Sequence, residues 1–215
     1  MVLTKISMLI VLAFVLPRCQ PPPAASCVID EASRDATLLD FRARLLQAVR
    51  TKNAELLRPL VDPMITFEVG ERGWNEFVET TRLADPKSDI WVTIERNLSL
   101  GGRLLEPDAF CASYFMCPTW PGDGDDVVKV VVNREVPIRQ RPSMGAPTLG
   151  DASCKVFTVP GGTAWPETPA GWSAVPLMDG RWGFVESSHV VVAETSLHLA
   201  KREGTWRLVA IQSPE

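Results

Sequence analysis

Residues 171–185 read Gly171-Trp-Ser-Ala-Val175-Pro-Leu-Met-Asp179-Gly180-Arg181-Trp182-Gly183-Phe184-Val185. Two short runs of aromatic and β-branched side chains flank Asp179-Gly180, and a two-residue Asp-Gly loop suits a type I′ turn, whose central residues both take positive φ. The stretch therefore predicts an antiparallel hairpin. The same composition recurs in Val127-Val-Lys-Val-Val-Val132 and Ser153-Cys-Lys-Val-Phe-Thr-Val159, with Gly, Pro and Asp turns between the runs. Residues 126–192 thus read as a small all-β unit, introduced by Pro121-Gly-Asp-Gly-Asp-Asp126 as a linker.

Upstream the hydrophobic period changes from two to 3.6. From Asp35, Leu38, Phe41, Leu45, Leu46 and Val49 fall on one helical face, with Arg42, Arg44, Gln47 and Arg50 between them and Ser33 or Asp35 as the cap. Asn53 caps a short second helix towards Leu60, strained at Pro59, and Asp62-Pro63 ends it. Met64-Ile-Thr-Phe-Glu-Val69 alternates as a strand, Gly70-Glu-Arg-Gly73 turns, and Trp74, Phe77, Val78 and Thr81 share the face of a further helix. The run Asp89–Leu98 carries helical spacing and strand composition at once; Gly101-Gly102 as a C-cap decides for a helix. The fold class is α+β: a helical, α+β domain over 27–121, the all-β unit over 126–192, and a C-terminal β-hairpin over 193–215 turning at Glu203-Gly204.

The first residues predict export. Lys5 precedes the apolar run Ile6–Leu16, which is too short for a bilayer core that takes about 20 helical residues. Ala24-Ala25-Ser26 then supplies the small side chains of a cleavage site, so residues 1–26 read as a signal peptide. The expected location is periplasmic or secreted, with no integral membrane span. A lipoprotein anchored at Cys27 is the alternative, set back by Ala24 where a lipobox carries Leu. The net charge is −4 at pH 7, and removing residues 1–26 takes away Lys5 and Arg18 but no acid. An acidic chain of this kind disfavours nucleic acid as a partner, because phosphate neutralisation needs clustered Lys and Arg.

Of five cysteines, four remain after cleavage: Cys27, Cys111, Cys117 and Cys154. An even count in an oxidising compartment points to disulfides. Three pairings are open; Cys111 to Cys117 is the easiest loop to close, and Cys27 to Cys154 follows. A zinc site needs paired CxxC or Cys/His spacings, and the two histidines, His189 and His198, lie away from the cysteines. No metal and no cofactor are expected.

The residues Val136, Ile138, Arg139, Pro142 and Ser143, then Leu149-Gly150, then Gly171-Trp172-x-x-Val175 and Asp179-Gly180-Arg181-x-Gly183-Phe184-Val185, come in an order that resembles bacterial SH3-type domains of exported envelope proteins. The resemblance covers about 126–192, with the longer loop Pro160–Pro169 as a departure. It implies an SH3-like barrel that recognises a peptide or a peptidoglycan-derived ligand. The whole mature chain is similar to a group of exported bacterial SH3-domain proteins with an N-terminal α+β region and a charged terminal hairpin. Its closing Gly204-x-Trp206-x-Leu208 strand also resembles that of cystatin-like cone folds related to nuclear transport factors. That likeness implies a hairpin packed on the first domain, with the barrel as an insertion.

Catalytic patterns are sparse. A cell-wall cysteine peptidase would carry Asp-Cys-Ser-Gly where this chain has Phe110-Cys111-Ala-Ser113. Gly-x-Ser-x-Gly, HExxH, a P-loop and a dinucleotide fingerprint do not occur. His189 beside Ser187 and Ser188, and the pairs Glu68 with Glu71 or Asp125 with Asp126, read as surface and turn residues. Of seven tryptophans, Trp74, Trp91, Trp172 and Trp206 fall at core-facing positions, which leaves Trp120, Trp165 and Trp182 as candidate ligand contacts. The expected function is non-catalytic binding of a peptide, peptidoglycan or protein partner. The alternatives are an inhibitor or immunity-type protein acting on an exported enzyme, and a cone-fold enzyme or small-molecule carrier.

Overall fold

The computed structural model describes residues 27–67, 71–117 and 126–213. The expected signal peptide, all of the expected linker Pro121–Asp126 but Asp126, Trp120 and Glu68 therefore lie outside the described residues.

A helix forms at Ala36–Arg50 (α1) because Asp35 caps it, its carboxylate accepting from Thr37 N at 2.8 Å and Leu38 N at 3.2 Å. Asn53 caps Ala54–Leu57 (α2) in the same way. Pro59 then tightens the chain into a 3-10 turn over Arg58–Leu60 and so ends the helix, as proline must. Trp74–Thr80 (α3) and Asp89–Ser99 (α4) follow, the latter closed by Gly101 at φ +67°.

These helices lie on a six-stranded sheet built from both ends of the chain. Its strands are Val61–Phe67 (β1), Glu71–Arg72 (β2), Arg103–Glu106 (β3), Ala109–Ala112 (β4), Ser196–Arg202 (β12) and Thr205–Gln212 (β13), in the order β2-β1-β13-β12-β4-β3. The C-terminal hairpin β12–β13 thus occupies the centre of the sheet, β13 pairing with β1 in parallel and β12 with β4 antiparallel. Glu203 and Gly204, at φ +52° and +76°, form the two-residue loop between Arg202 and Thr205. Strand β1 begins earlier than its alternation suggests and contains Pro63. The β1–β13 register slips between Val61 and Thr66, so the proline's missing donor falls in an irregular stretch where no ladder bond is lost.

One face of the sheet carries the main core: Leu38, Phe41, Leu45 and Val49 of α1, Trp91, Ile94 and Leu98 of α4, and Ile65, Phe110, Leu199, Trp206 and Leu208 of the strands. Arg42 departs from the expectation of a solvated helix face. It is buried, donates to Asp30 at 2.7 Å and to Leu98 O at 2.7 Å, and lies 5.5 Å from the Phe110 ring centroid. Its guanidinium fixes the segment at Asp30 against the end of α4, a tolerable burial because the charge is paired.

The remaining strands form two further sheets. Thr148–Asp151 (β7), Pro137–Arg139 (β6), Trp182–Glu186 (β10) and Trp172–Pro176 (β9) pair in the order β7-β6-β10-β9. Val190–Ala193 (β11), Val127–Val131 (β5) and Val156–Val159 (β8) pair in the order β11-β5-β8. Among the described residues no ladder joins the two sheets into the closed barrel that the resemblance implies. The chain changes sheet at sharp corners, at Glu135 (φ +59°), at Cys154 (φ +59°) and through the 3-10 turn Ser187–His189. A shared core of Val131, Val136, Ile138, Ala152, Val175 and Val185 fills the space between.

Two details of this unit correct the sequence reading. Leu177 N bonds Arg181 O, leaving Met178-Asp179-Gly180 as a three-residue loop in which only Gly180 takes positive φ, so the turn is not type I′. A three-residue loop ending in a left-handed glycine is the next commonest hairpin solution. Trp172 is half-buried instead of buried, and Ala174 and Val175 supply the core of β9.

Disulfides join Cys27 to Cys154, with Cα atoms 5.4 Å apart, and Cys111 to Cys117, 6.0 Å apart. The first ties Cys27 to the small β unit, beside a bond from Cys27 N to Val132 O. The second belongs to a cluster with Met116, Val128 and Val130, where the back of the large sheet meets β5. Among the described residues no helix is long and apolar enough to cross a membrane.

Candidate functional site

Strand β10 brings Trp182 to the surface because the neighbouring positions are committed elsewhere. Gly183 packs directly beneath Ile138 with no room for a side chain, and Val185 enters the core. Trp182 therefore projects from the opposite face of the strand. The loop 160–171 folds back so that Trp165 meets it, ring centroids 5.2 Å apart and planes tilted by 42°. That is a favourable separation for an offset aromatic pair.

Lys129 of β5 holds the loop in this position. Its Nζ lies 3.9 Å from the Trp165 ring centroid and donates to Ala174 O at 3.0 Å. Burial pushes the Lys129 pKa below its ordinary value, the expected result when an ammonium gives up water for a ring face and one carbonyl. Trp165 keeps 36% of its surface exposed, while Trp182 is half-buried. Two of the three tryptophans singled out in the sequence are thus side by side. Lys129 was not singled out, since its place between valines in a strand gives no local signal of a partner forty residues away.

Among the described residues both imidazoles have side-chain partners other than an exposed serine. His189 Nδ1 lies 2.8 Å from Asn133 Nδ2, and Ser187 Oγ lies 2.9 Å from Ser173 Oγ, so Ser187 is engaged elsewhere. His198 Nε2 lies 3.1 Å from Ser196 Oγ on β12. Ser196 is buried, and burial pushes the His198 pKa down, so a substrate has no approach to that hydroxyl. Cys111 is consumed by its disulfide. Among the described residues no group of three or more His, Cys, Asp or Glu is arranged to hold a metal ion.

Concavities lie in the α+β part of the molecule. One, of about 330 Å³, is bordered by Thr80, Thr81, Asp89, Thr93 and Thr195 between α3, α4 and the end of β13. Another, of about 240 Å³, is lined by Arg58, Pro59, Val61, Pro63, Trp74 and Arg207. Ser88 also lines the first, where its hydroxyl donates to Thr81 O and accepts from Ile90 N. Compared with protein-family models and with curated proteins, the sequence matches none.

Proposed function

We propose that this is an exported, non-catalytic binding protein of the cell envelope, and that its small β unit is an SH3-type module taking a peptide or peptidoglycan-derived ligand on Trp165 and Trp182. The observation that carries the reading is the aromatic pair itself, preorganised by Lys129 at 3.9 Å. A rigid indole platform loses little conformational entropy on binding, and large aromatic side chains dominate binding energetics where they are partly exposed. Ligand-contacting residues concentrate on loops that a firm scaffold holds out, and loop 160–171 is such a segment.

Export is supported by the two disulfides, since such bonds persist in oxidising compartments. Because Cys27 Sγ is bonded to Cys154, it has no thiol left for a lipid thioether. This favours a freely secreted or periplasmic protein over one anchored at Cys27.

Co-sedimentation of the protein with purified cell-wall sacculi tests the function. Retention of the wild type, with loss in Trp165→Ala, is the expected outcome. A protein that stays in the supernatant and is instead captured by one stoichiometric envelope protein would replace this reading with the inhibitor-type alternative.

A further inference from the structure

The groove between the 3-10 turn after α2 and the start of α3 has a chemistry unlike the rest of this acidic chain. Arg58, on the turn, lies over the Trp74 ring with its guanidinium carbon 5.4 Å from the centroid. Arg207, on β13, reaches the same cavity and donates from Nη1 to Pro59 O at 3.1 Å and Val61 O at 3.5 Å. Pro59, Val61, Pro63 and Trp74 make the remaining wall apolar, and the depression continues outward to Arg72. Among the described residues no carboxylate stands within ion-pairing distance of Arg58, Arg72 or Arg207. Glu76, which lines the outer depression, accepts from Arg72 N at 3.4 Å, and Asp62 faces Arg202 at 3.7 Å.

We propose that this groove is a second binding site, separate from the tryptophan pair, for a carboxylate carried on a small apolar body. The Arg58 guanidinium lies over the indole and, among the described residues, has no hydrogen-bond acceptor for its N–H donors, while Arg207 is held by two backbone carbonyls through a single nitrogen and keeps its other donors. Planar guanidinium donors match the two oxygens of a carboxylate, and the proline and indole wall suits an aliphatic or aromatic group behind it. The irregular β1–β13 register around Pro63 opens the wall locally, so a feature that weakens the ladder also shapes the cavity. A free small acid and the C-terminus of a peptide share this chemistry.

The test follows the Trp74 indole N–H by NMR, assigned with Trp74→Phe, during titration with 3-phenylpropanoate, 3-phenylpropanamide, inorganic phosphate, and the tripeptide Gly-Gly-Phe with a free or an amidated C-terminus. The two carboxylates should shift the resonance saturably at millimolar concentration, and the amides and phosphate should not. Tighter binding of the free tripeptide than of 3-phenylpropanoate would point to a peptide C-terminus, and the reverse to a small acid. Arg58→Gln and Arg207→Gln should each weaken binding about tenfold, the loss expected for one charge-assisted hydrogen bond, while the exposed Arg141→Gln leaves it unchanged. Arg58 is itself exposed, so its variant should melt with the wild type even if Arg207→Gln does not fold. The inference is overturned if neither carboxylate saturates, if an amide or phosphate binds as well as the acid, or if Arg58→Gln binds like the wild type.

Discussion

Helices α1 and α4 lay Phe41, Trp91 and their leucines on a sheet drawn from both ends of the chain, whereas the small β unit gathers valines, Ile138 and Ala152 between two short sheets. A fully buried phenylalanine or tryptophan removes far more apolar surface from water than a valine does. The first region can therefore stand on burial, and the second leans on its attachments. Those attachments are the Cys27–Cys154 bridge, the cluster around Met116 and Val128, and the pairs Arg96–Glu194 and Asn97–Thr195 at the approach to β12. On the proposed function the difference also separates tasks: the well-packed region supplies the frame, and the other presents Trp165 and Trp182.

The largest expected effect breaks the attachment. The Cys27–Cys154 bridge spans 127 residues and the Cys111–Cys117 bridge only 6. On the chain-entropy account, losing the first costs about 4–5 kcal/mol and losing the second about 2–3 kcal/mol. Urea denaturation of the Cys27→Ser/Cys154→Ser and Cys111→Ser/Cys117→Ser variants should preserve that order. Equal losses would mean that the small β unit needs no tether.

Next in size is the contrast between the cores. Phe41→Ala should cost about 3–5 kcal/mol, because Phe41 is completely buried. Trp172→Ala should cost clearly less, since that indole is half-exposed. Melting curves giving the two variants the same loss would contradict the division between frame and presenting surface.

A smaller effect tests how the terminal hairpin is fastened to α1. Lys201 of β12 donates to Asp35 at 2.8 Å, and Trp206 Nε1 of β13 donates to Thr37 Oγ1 at 3.1 Å. The Lys201 ammonium and then the Thr37 hydroxyl, with the two backbone N–H groups, hold the Asp35 carboxyl well below the usual carboxylate range. Its stabilising contribution is therefore complete above the unfolded-state pKa near 4 and is lost as pH falls below that towards the folded value. Asp35→Ala should cost about 1 kcal/mol at neutral pH, as lost N-caps do. The gap from wild type should narrow below about pH 4; a gap independent of pH would detach the effect from this carboxylate.

Much of the α+β frame was legible in the sequence, because its signals are local. Asp35 and Asn53 as caps, the Leu38–Val49 stripe, and Gly101 as the stop of α4 each act within a turn or two of their own helix. What was not legible depends on residues far apart. Strands β3 and β4 are short and have Pro107 between them, so their pairing with each other and that of β4 with β12 define them. Arg42 looks solvent-facing on its helix and is buried only because Asp30 and the end of α4 converge on it. Asp179-Gly180 suggested a two-residue turn, but Met178 joins the loop once Leu177 bonds Arg181. At the candidate site, Trp165 and Trp182 stood out as tryptophans without a core position, while Lys129 and the Arg58–Arg207 groove emerge only from the fold.

The account stands most directly on Trp165. Binding of wild type and Trp165→Ala to soluble peptidoglycan fragments can be read by calorimetry, alongside their melting temperatures. The account predicts a melting temperature nearly unchanged and binding weakened roughly thirtyfold, for a hot-spot tryptophan worth about 2 kcal/mol. Normal binding by both Trp165→Ala and Trp182→Ala would contradict it, as would a loss of binding explained by unfolding.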